Sequence, residues 1–320
     1  MRSLFCDFLY TPTGHHDQDF TIFNAYCDRQ LTHIKENEKK FLKNILKISK
    51  ILKRDENKTI GTVSFICLYI ASIITNRWDY NLVIHFMPSN RPHLYKYLIS
   101  KFITKCNKII VFSDCVKKDL LEKTKTKNDK KIYEIHTREI KHVSKILNEK
   151  PVILTIGSLN ETKKIEDLLR VIGKQKFSNL SFRFICNGIN KRLEAMKFSN
   201  NCGNDIYISD SFPSLDNYKE ELYKADYSYL AYTNSYGVRF SGIFFDSLAQ
   251  GTPVIVNENK SFQIMVEKYK CGFVFHSEEE LMQILRGLDE KTLQHPTISK
   301  ELLEFYSPEN NKTLAQLLLK

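Results

Sequence analysis

The sequence lacks an apolar run long enough to cross a bilayer. Its most apolar window, VSFICLYIASII at residues 63–74, is about a dozen residues long, whereas a membrane-spanning helix needs roughly 20. The first residues, MRSLFCDFLY, lack a basic region followed by a sufficient apolar stretch, so we expect no secretory signal peptide. The window therefore predicts a buried helix or strand, and we expect a cytoplasmic protein.

Closely spaced cysteine pairs are also absent. The eight cysteines are scattered along the chain, and some lie in apolar runs such as SFRFICNG, which is typical of reduced, buried thiols rather than disulfides or zinc ligands. The sequence has no zinc finger and no basic motif interleaved with aromatic residues that would support nucleic-acid binding. We therefore predict neither a metal site nor a nucleic-acid partner.

Acidic residues are scarce in the first half of the chain. Residues 1–150 contain 28 Lys and Arg against 16 Asp and Glu, a net charge of +12, whereas residues 151–320 contain 20 against 21, a net charge of −1. This asymmetry indicates an anionic partner: nucleic acid, a membrane surface or a phosphorylated substrate. A lysine-rich face that is simply solvated explains the same charge equally well.

Residues 20–52 have a helical and increasingly basic pattern. Phe41, Ile45 and Ile48 recur at helical spacing, and lysines cover much of the remaining surface. The pattern predicts a basic amphipathic helix over residues 35–54 whose apolar stripe packs on its domain. Its lysines are then expected to contact anionic lipid headgroups, which would place the protein at the inner face of a membrane as a peripheral protein.

The rest of the pattern predicts two α/β domains. Short apolar strands alternate with amphipathic helices through Val256, which indicates parallel, doubly wound sheets. We place the first domain at residues 1–140 and the second at residues 151–305, with a polar linker between them. The tail predicts a further helix over residues 308–320.

Two features of the first domain place candidate residues at strand ends. A strand at residues 3–10 leads into a turn that carries Gly14, His15 and His16, where the histidines could contact an acceptor or a phosphate, or could simply tolerate the turn. The run NLVIHFM predicts a strand that ends near His85. Because ligands bind at the C-terminal ends of parallel strands, His85 is a candidate contact, although a core histidine fits nearly as well.

The second domain opens with a strand, a glycine and a helix. In PVILTIGSLNETKK the strand ends at Gly157, which lets a ligand approach the backbone, and Lys163 follows in the loop. The next strand, in SFRFICNG, ends at Asn187. A nicotinamide-dependent enzyme would need a fuller glycine fingerprint than Gly157 provides, so this alternative is the weakest.

The segment YGVRFSGIFFDSLAQGTPVIV, residues 236–256, has the densest pattern. A turn at Ser241 and Gly242 opens a short helix that carries Asp246, and Gly251 ends the helix before a buried strand. Unpaired N–H groups at such a helix start suit a phosphate, and a carboxylate one turn into the helix could reach a ribose. The segment therefore predicts a nucleotide site.

On these residues the chain resembles the family 4 glycosyltransferases of the GT-B fold, in which two Rossmann-like domains face a cleft and a C-terminal helix returns to the first domain. The resemblance covers the whole second domain in order and the end of the first. It implies an enzyme that moves a sugar from a nucleotide diphosphate sugar to a hydroxyl, with retention of anomeric configuration and without a cofactor or metal. The expected acceptor is a lipid-linked or polysaccharide precursor.

Three positions differ from the family pattern in this chain, and at one of them the second family glutamate, in the helix, is the one-carbon-shorter Asp246. The family glutamate before the turn is Val238, and the family arginine after the glycine is Ser158, whereas the matching lysine is kept as Lys163. We expect Arg239 to replace the missing cation, because its planar guanidinium suits two phosphate oxygens. Lys163 and Arg239 would then bind the donor diphosphate together.

The resemblance and these substitutions imply one set of roles. The expected catalytic residues are His85, Lys163 and Arg239. The expected donor-binding residues are Gly157, Ser158, Lys163, Asn187, Arg239, Ser241, Gly242 and Asp246. The expected acceptor-side residues are Gly14, His15 and His16. A catalytically inactive relative that binds a nucleotide sugar, or serves as a scaffold, would also explain the lost glutamate.

Overall fold

The computed structural model places the described residues in two units. The first unit contains the residues up to 134 together with Val238 and Arg239, and the second contains those of 140–237 and 241–307. Each unit has a parallel six-stranded sheet with helices, which confirms the predicted α/β class. The described residues are 3–9, 24, 31–37, 40–85, 92–126, 131–134, 140, 145–211, 213–239, 241–307 and 309–310. The predicted terminal helix at 308–320 lies almost wholly outside them.

The sheet of the first unit is built from short strands. These are β1 (Ser3–Asp7), β2 (Leu31–Lys35), β3 (Asn57–Ile60), β4 (Tyr80–Val83), β5 (Lys108–Val111) and β6 (Ile132–Glu134). Their order across the sheet is β2-β1-β3-β4-β5-β6. Neighbouring strands pair in parallel, as Cys6 does with Ile34 on one side and with Ile60 on the other. From β2 onward, each next strand is therefore added toward the same edge.

In the described part of the first unit, four helices lie between these strands in sequence. They are α1 (Phe41–Leu52), α2 (Phe65–Thr75), α3 (Pro92–Lys105) and α4 (Asp114–Thr124). Right-handed crossovers that all run toward one edge place these helices on one face of the sheet, where fully buried residues such as Leu68 and Phe102 form the core. The apolar window at residues 63–74 is therefore a helix of this core. No helix within the described ranges is long and apolar enough to span a bilayer.

The prediction of one helical segment over residues 20–52 is wrong. Leu31–Lys35 is a strand that pairs in parallel with β1, and the helix begins only at Phe41. The pairing is reinforced by side chains, because His33 Nε2 lies 2.8 Å from Asp7 Oδ2. Contacts with a distant strand have thus overridden the local helical pattern.

The apolar stripe predicted for the helix is buried except at its first residue. Ile45 and Ile48 belong to the core, whereas Phe41 is half exposed. The outward side of α1 instead carries Leu42 and Leu46, which are 73% and 70% exposed. The helix therefore has a buried apolar face and, separately, two leucines facing solvent.

The sheet of the second unit has a different strand order. Its strands are β7 (Val152–Ser158), β8 (Ser181–Asn187), β9 (Asp205–Ser209), β10 (Tyr227–Leu230), β11 (Val254–Asn257) and β12 (Gly272–Phe275). They are arranged as β12-β11-β10-β7-β8-β9, and all the pairings between them are parallel. The chain therefore moves toward one edge from β7 to β9, then returns to the centre and moves toward the other edge.

The helices of the second unit cover both faces of this sheet. They are α5 (Glu166–Lys174), α6 (Ile189–Ala195), α7 (Leu215–Lys224), α8 (Gly242–Ala249), α9 (Lys260–Tyr269), α10 (Glu278–Asp289) and α11 (Lys300–Phe305). Polar side chains cap several of these helix starts; Ser277 Oγ, for example, accepts a hydrogen bond from Glu280 N at 3.2 Å. Such a cap satisfies one of the unpaired amides of a helix start.

A buried aspartate fixes the segment that enters the second unit. Asp226 is fully buried before β10 and accepts hydrogen bonds from Asn148 N at 3.1 Å, Asn148 Nδ2 at 2.8 Å and Val152 N at 2.7 Å. Lys145 Nζ donates to Thr252 Oγ1 at 2.7 Å in the same region. The Asp226 carboxylate, which accepts these three N–H hydrogen bonds, thus attaches residues 145–152 to the sheet.

We expect Asp226→Asn to lower the free energy of unfolding by about 3 kcal/mol, because an amide nitrogen would face N–H donors and leave buried groups unpaired. The control is Asp205→Asn, which removes a half-exposed carboxylate paired with Lys150 at 2.8 Å and should cost less than about 1 kcal/mol. Urea unfolding followed by circular dichroism measures both. Equal losses in the two variants would contradict the role of Asp226.

Candidate functional site

The strand order of the second unit determines where a ligand crevice lies. β7 and β10 are neighbours, and the chain continues from them toward opposite edges of the sheet. Connections that leave two adjacent parallel strands over opposite faces open a crevice at the C-terminal ends of those strands. The loops after Ser158 and Leu230 therefore border the candidate site.

Backbone hydrogen bonds join these two loops. Lys163 forms an isolated antiparallel bridge with Tyr232, and Lys164 N donates to Ala231 O at 3.0 Å. These strand-like backbone contacts hold the loop after β7, although the loop is not part of a named strand. Lys163 is held at the crevice by its own backbone.

The ammonium group of Lys163 turns back over the end of β7. Its Nζ donates to Ile156 O at 3.0 Å. A Cβ on Gly157 would lie 3.2 Å from this Nζ and 3.0 Å from Ile243 Cδ1, and the φ of Gly157 is +99°. The positive φ therefore favours glycine, and a Cβ would also crowd these two side chains. Burial lowers the pKa of Lys163 to about 8, an effect that the nearby Cys186 only partly opposes, and a bound anion would raise this pKa again.

The start of α8 lies beside Gly157. Ser241 is buried and caps the helix, with its Oγ accepting from Phe244 N at 3.4 Å and lying 3.1 Å from Tyr232 Oη. Among the hydrogen bonds of the described residues, none uses the amides of Gly242 or Ile243 as donors. These two amides, together with the positive end of the helix dipole, can receive an anionic oxygen.

The loop between β10 and α8 is held by an amide side chain and by contacts between aromatic rings. Asn257 Oδ1 accepts from Tyr232 N at 2.9 Å, and Asn257 Nδ2 donates to Tyr232 O at 2.8 Å. The Tyr232 ring lies 4.1 Å from that of Tyr236 and 5.1 Å from that of Phe262. Burial raises the pKa of Tyr232 to about 12, so its hydroxyl stays protonated beside Ser241.

Asp246 lies one turn further along α8. Its Oδ2 accepts a hydrogen bond from Tyr218 Oη at 3.0 Å, and both side chains are half-buried. The hydroxyl of the next residue, Ser247, donates to Ile243 O at 2.7 Å and lies 2.9 Å from Ser228 Oγ. α8 is therefore fixed against β10, and the Asp246 carboxylate has a defined position.

The end of β8 contributes a second, different helix start. Asn187 pairs in register with Ser158, and both side chains are exposed. Gly188 N donates to Asp210 Oδ1 at 2.6 Å, and Asn190 N lies 3.3 Å from Asp210 Oδ2. A carboxylate of the protein thus already occupies the start of α6. Of the helix starts after β8 and β10, only that of α8 offers its amides to an anion.

Two further sequence-predicted residues, His85 and Arg239, belong to the first unit. His85 follows β4 by two residues, and its ring lies 4.9 Å from that of Phe112. Val238 and Arg239 are grouped with the first unit, and Val238 packs against the core of that unit. The proposed roles of His85 and Arg239 stay predictions. Three predicted acceptor-side residues lie outside the described residues: Gly14, His15 and His16.

Sequence reasoning missed three residues that shape the site. Tyr232 and Asn257 each lie at or just after the end of a buried strand, and polar residues at such positions can be recognised in the sequence as candidates for a ligand site. Tyr218 carried none, because it lies within a polar helix and meets Asp246 only through the packing of α7 on α8. Pairwise side-chain contacts of this kind are decided by tertiary structure.

Three solved structures resemble most or all of the chain. Anabaena HepE in complex with UDP and glucose has a TM-score of 0.73 at 14% identity, covering 99% of this chain and 98% of HepE. The apo form of WaaB, a lipopolysaccharide outer core galactosyltransferase, has a TM-score of 0.70 at 12% identity, covering 100% and 99%. TarM has a TM-score of 0.65 at 17% identity, covering 87% of this chain, which spans 58% of TarM. At these identities the likeness shows the fold alone.

The family comparison points to the same part of the chain. Residues 136–294 match the glycosyl transferases group 1, and this segment contains Lys163, Gly157 and the whole of α8. No curated protein sequence matches the chain. Residues 136–294 of the chain are therefore similar to the glycosyl transferases group 1, and the fold is GT-B.

Proposed function

We propose that the protein transfers a sugar from a nucleotide diphosphate sugar to a hydroxyl of a lipid-linked or polysaccharide precursor, with retention of anomeric configuration. The observation that carries the proposal is the grouping of Lys163 Nζ and the start of α8 around Gly157. A cation and two backbone amides at the C-terminal ends of parallel strands suit a diphosphate. Similarity to a glycosyltransferase family and the UDP bound in HepE support the same donor class.

The chemistry follows from where the negative charge develops. When the bond from the anomeric carbon to the diphosphate breaks, charge accumulates on the departing phosphate oxygens. Lys163 and the amides of Gly242 and Ile243 are fixed before the reaction, so they stabilise this charge without reorganising. The carboxylate of Asp246, one turn along the same helix, is placed to accept a hydrogen bond from the ribose.

We also propose that no divalent metal is needed, because the protein supplies this positive charge itself. Within the described ranges, no group of three His, Cys, Asp or Glu residues is placed to hold a metal. The sequence does contain one Asp-x-Asp, Asp17 and Asp19, of a type that can bind a divalent cation. This Asp-x-Asp lies outside the described residues, so the activity assay below is also run with a metal chelator.

Lys163→Ala should lower kcat/KM about 10- to 100-fold with the preferred donor, because a charge-assisted contact in a closed site is lost. The preferred donor is found by a thermal-shift panel of nucleotide sugars, and turnover is then measured by release of the nucleoside diphosphate with and without EDTA. NMR of the product reports its anomeric configuration.

The control for this substitution is Lys164→Ala. The Lys164 side chain pairs with Asp167 at 2.8 Å, and its loss should leave turnover within about twofold, as for other surface ion pairs. A wild-type protein that binds a nucleotide sugar but transfers nothing to any acceptor would establish the inactive relative instead. Activity abolished by EDTA and restored by a divalent cation would contradict the metal-independent mechanism.

The lowered pKa of Lys163, about 8, predicts that nucleotide binding depends on pH. A diphosphate favours the ammonium form, so binding takes up a proton above pH 8, and the affinity for UDP should fall about tenfold between pH 7 and pH 9. Lys163→Arg keeps its charge over this range and should give a flat profile. Isothermal titration calorimetry in buffers of different ionisation enthalpy measures both effects. A flat wild-type profile would show that Lys163 does not contact the phosphates.

Membrane association is proposed for the first unit, on a surface that differs from the sequence prediction. The outward side of α1 exposes Leu42 and Leu46 beside Lys43 and Lys50. Leucines flanked by lysines favour the interface of an anionic bilayer. Lys47 is excluded from this surface because it pairs with Glu36 at 2.5 Å.

Reversing Lys43 and Lys50 to Glu should weaken binding to vesicles of phosphatidylglycerol and phosphatidylcholine at least about tenfold, since each lysine near such a surface contributes about 1 kcal/mol. The control reverses two exposed lysines of the second unit, Lys176 and Lys191, with the same change in net charge. Co-sedimentation at physiological salt gives the partition coefficients. If both double variants lose binding equally, net charge rather than α1 causes the association.

A further inference from the structure

Asp246 has a hydrogen-bond partner that belongs to a different helix. Tyr218 Oη donates to Asp246 Oδ2 at 3.0 Å. Tyr218 lies in the first turn of α7, and Asp246 lies one turn into α8. The residue proposed to contact the ribose is therefore attached to a neighbouring helix through the phenol of Tyr218.

The phenol itself is firmly placed. The ring of Tyr218 packs, with Ile243, against an apolar cluster on the sheet face that α7 and α8 cover. The buried members of that cluster are Leu154, Ile156, Ile185, Leu222 and Ala225. Tyr218 N donates to Ser214 O at 2.8 Å, within the capped first turn of α7. The position of Tyr218 Oη is thus set by the sheet.

A short carboxylate gives this contact a particular consequence. Aspartate has one methylene fewer than glutamate, so once its backbone is fixed in α8 the carboxylate turns mainly about the Cα–Cβ and Cβ–Cγ bonds. A hydrogen bond to Oδ2 from a fixed phenol selects one of these orientations. A charged acceptor makes this bond stronger than one between neutral groups.

We propose that Tyr218 is a positioning residue for nucleotide recognition: it holds the Asp246 carboxylate in the orientation that accepts a hydroxyl of the ribose. The inference rests on the proposed function. It adds that the selection of a ribonucleotide over a deoxyribonucleotide depends on α7 as well as on α8. Tyr218 acts only through Asp246 and does not itself contact the nucleotide.

A purely structural role for the Tyr218 hydroxyl predicts a different result. If it only joined α7 to α8, its removal would loosen the helix start and weaken every nucleotide to the same extent. If it orients Asp246, its removal weakens only ligands that carry the hydroxyl that Asp246 accepts. The two roles are therefore separated by deoxynucleotides.

The experiment measures the affinity of the full chain for UDP, 2′-deoxy-UDP and 3′-deoxy-UDP by calorimetry. If the wild type prefers GDP or ADP, that nucleotide and its two deoxy forms are used instead. Tyr218→Phe should weaken the ribonucleotide about five- to tenfold, as for one hydrogen bond to a partly exposed charge, and should leave one of the deoxy forms unchanged. In an Asp246→Ala background, Tyr218→Phe should have no further effect. Turnover should show a raised KM with kcat within twofold.

The matched control is Tyr223→Phe, which removes a phenolic hydroxyl from the same helix at a half-exposed ring and should change no affinity. Equal weakening of ribo- and deoxynucleotides by Tyr218→Phe, or no weakening at all, would overturn the proposal while leaving the transferase function intact. A wild-type protein that binds none of UDP, GDP and ADP would overturn the proposed function, and this inference with it.

Discussion

The candidate site depends on the contact between a lysine ammonium and a glycine that has no side chain. A Cβ at Gly157 would lie 3.2 Å from Lys163 Nζ, so the absence of a side chain relieves crowding at this contact. The bond from Lys163 Nζ to Ile156 O holds the charge at the end of β7, and burial makes that charge costly until an anion arrives. The cost of removing this cation from water would therefore favour a bound anion at this position.

The rest of the second unit keeps this cation next to the start of α8. The bridge between Lys163 and Tyr232 joins the loops after the two central strands. Asn257 fixes Tyr232 through both backbone groups, and the Tyr232 hydroxyl meets the capping Ser241. Each contact is an ordinary hydrogen bond, but together they fix loops that would otherwise carry the conformational freedom of surface segments.

The two helix starts at the edge of this sheet show how a similar local geometry acquires different roles. At α6 the carboxylate of Asp210 satisfies the first amides, so the protein supplies its own anion. At α8 a neutral serine caps a later amide and the first two remain as donors. The side chain that reaches each start, rather than the helix dipole, decides which one suits a phosphate.

The sequence by itself determined the α/β class, the order of most strands and helices, and the positions of Gly157, Lys163 and Asp246, because apolar periodicity, glycine turns and caps are local signals. It also wrongly predicted helix for Leu31–Lys35, where pairing with a strand distant in sequence decided the outcome. Tertiary structure alone decided that Tyr218 meets Asp246. Contacts between side chains on different elements depend on how those elements pack, and no local pattern encodes that.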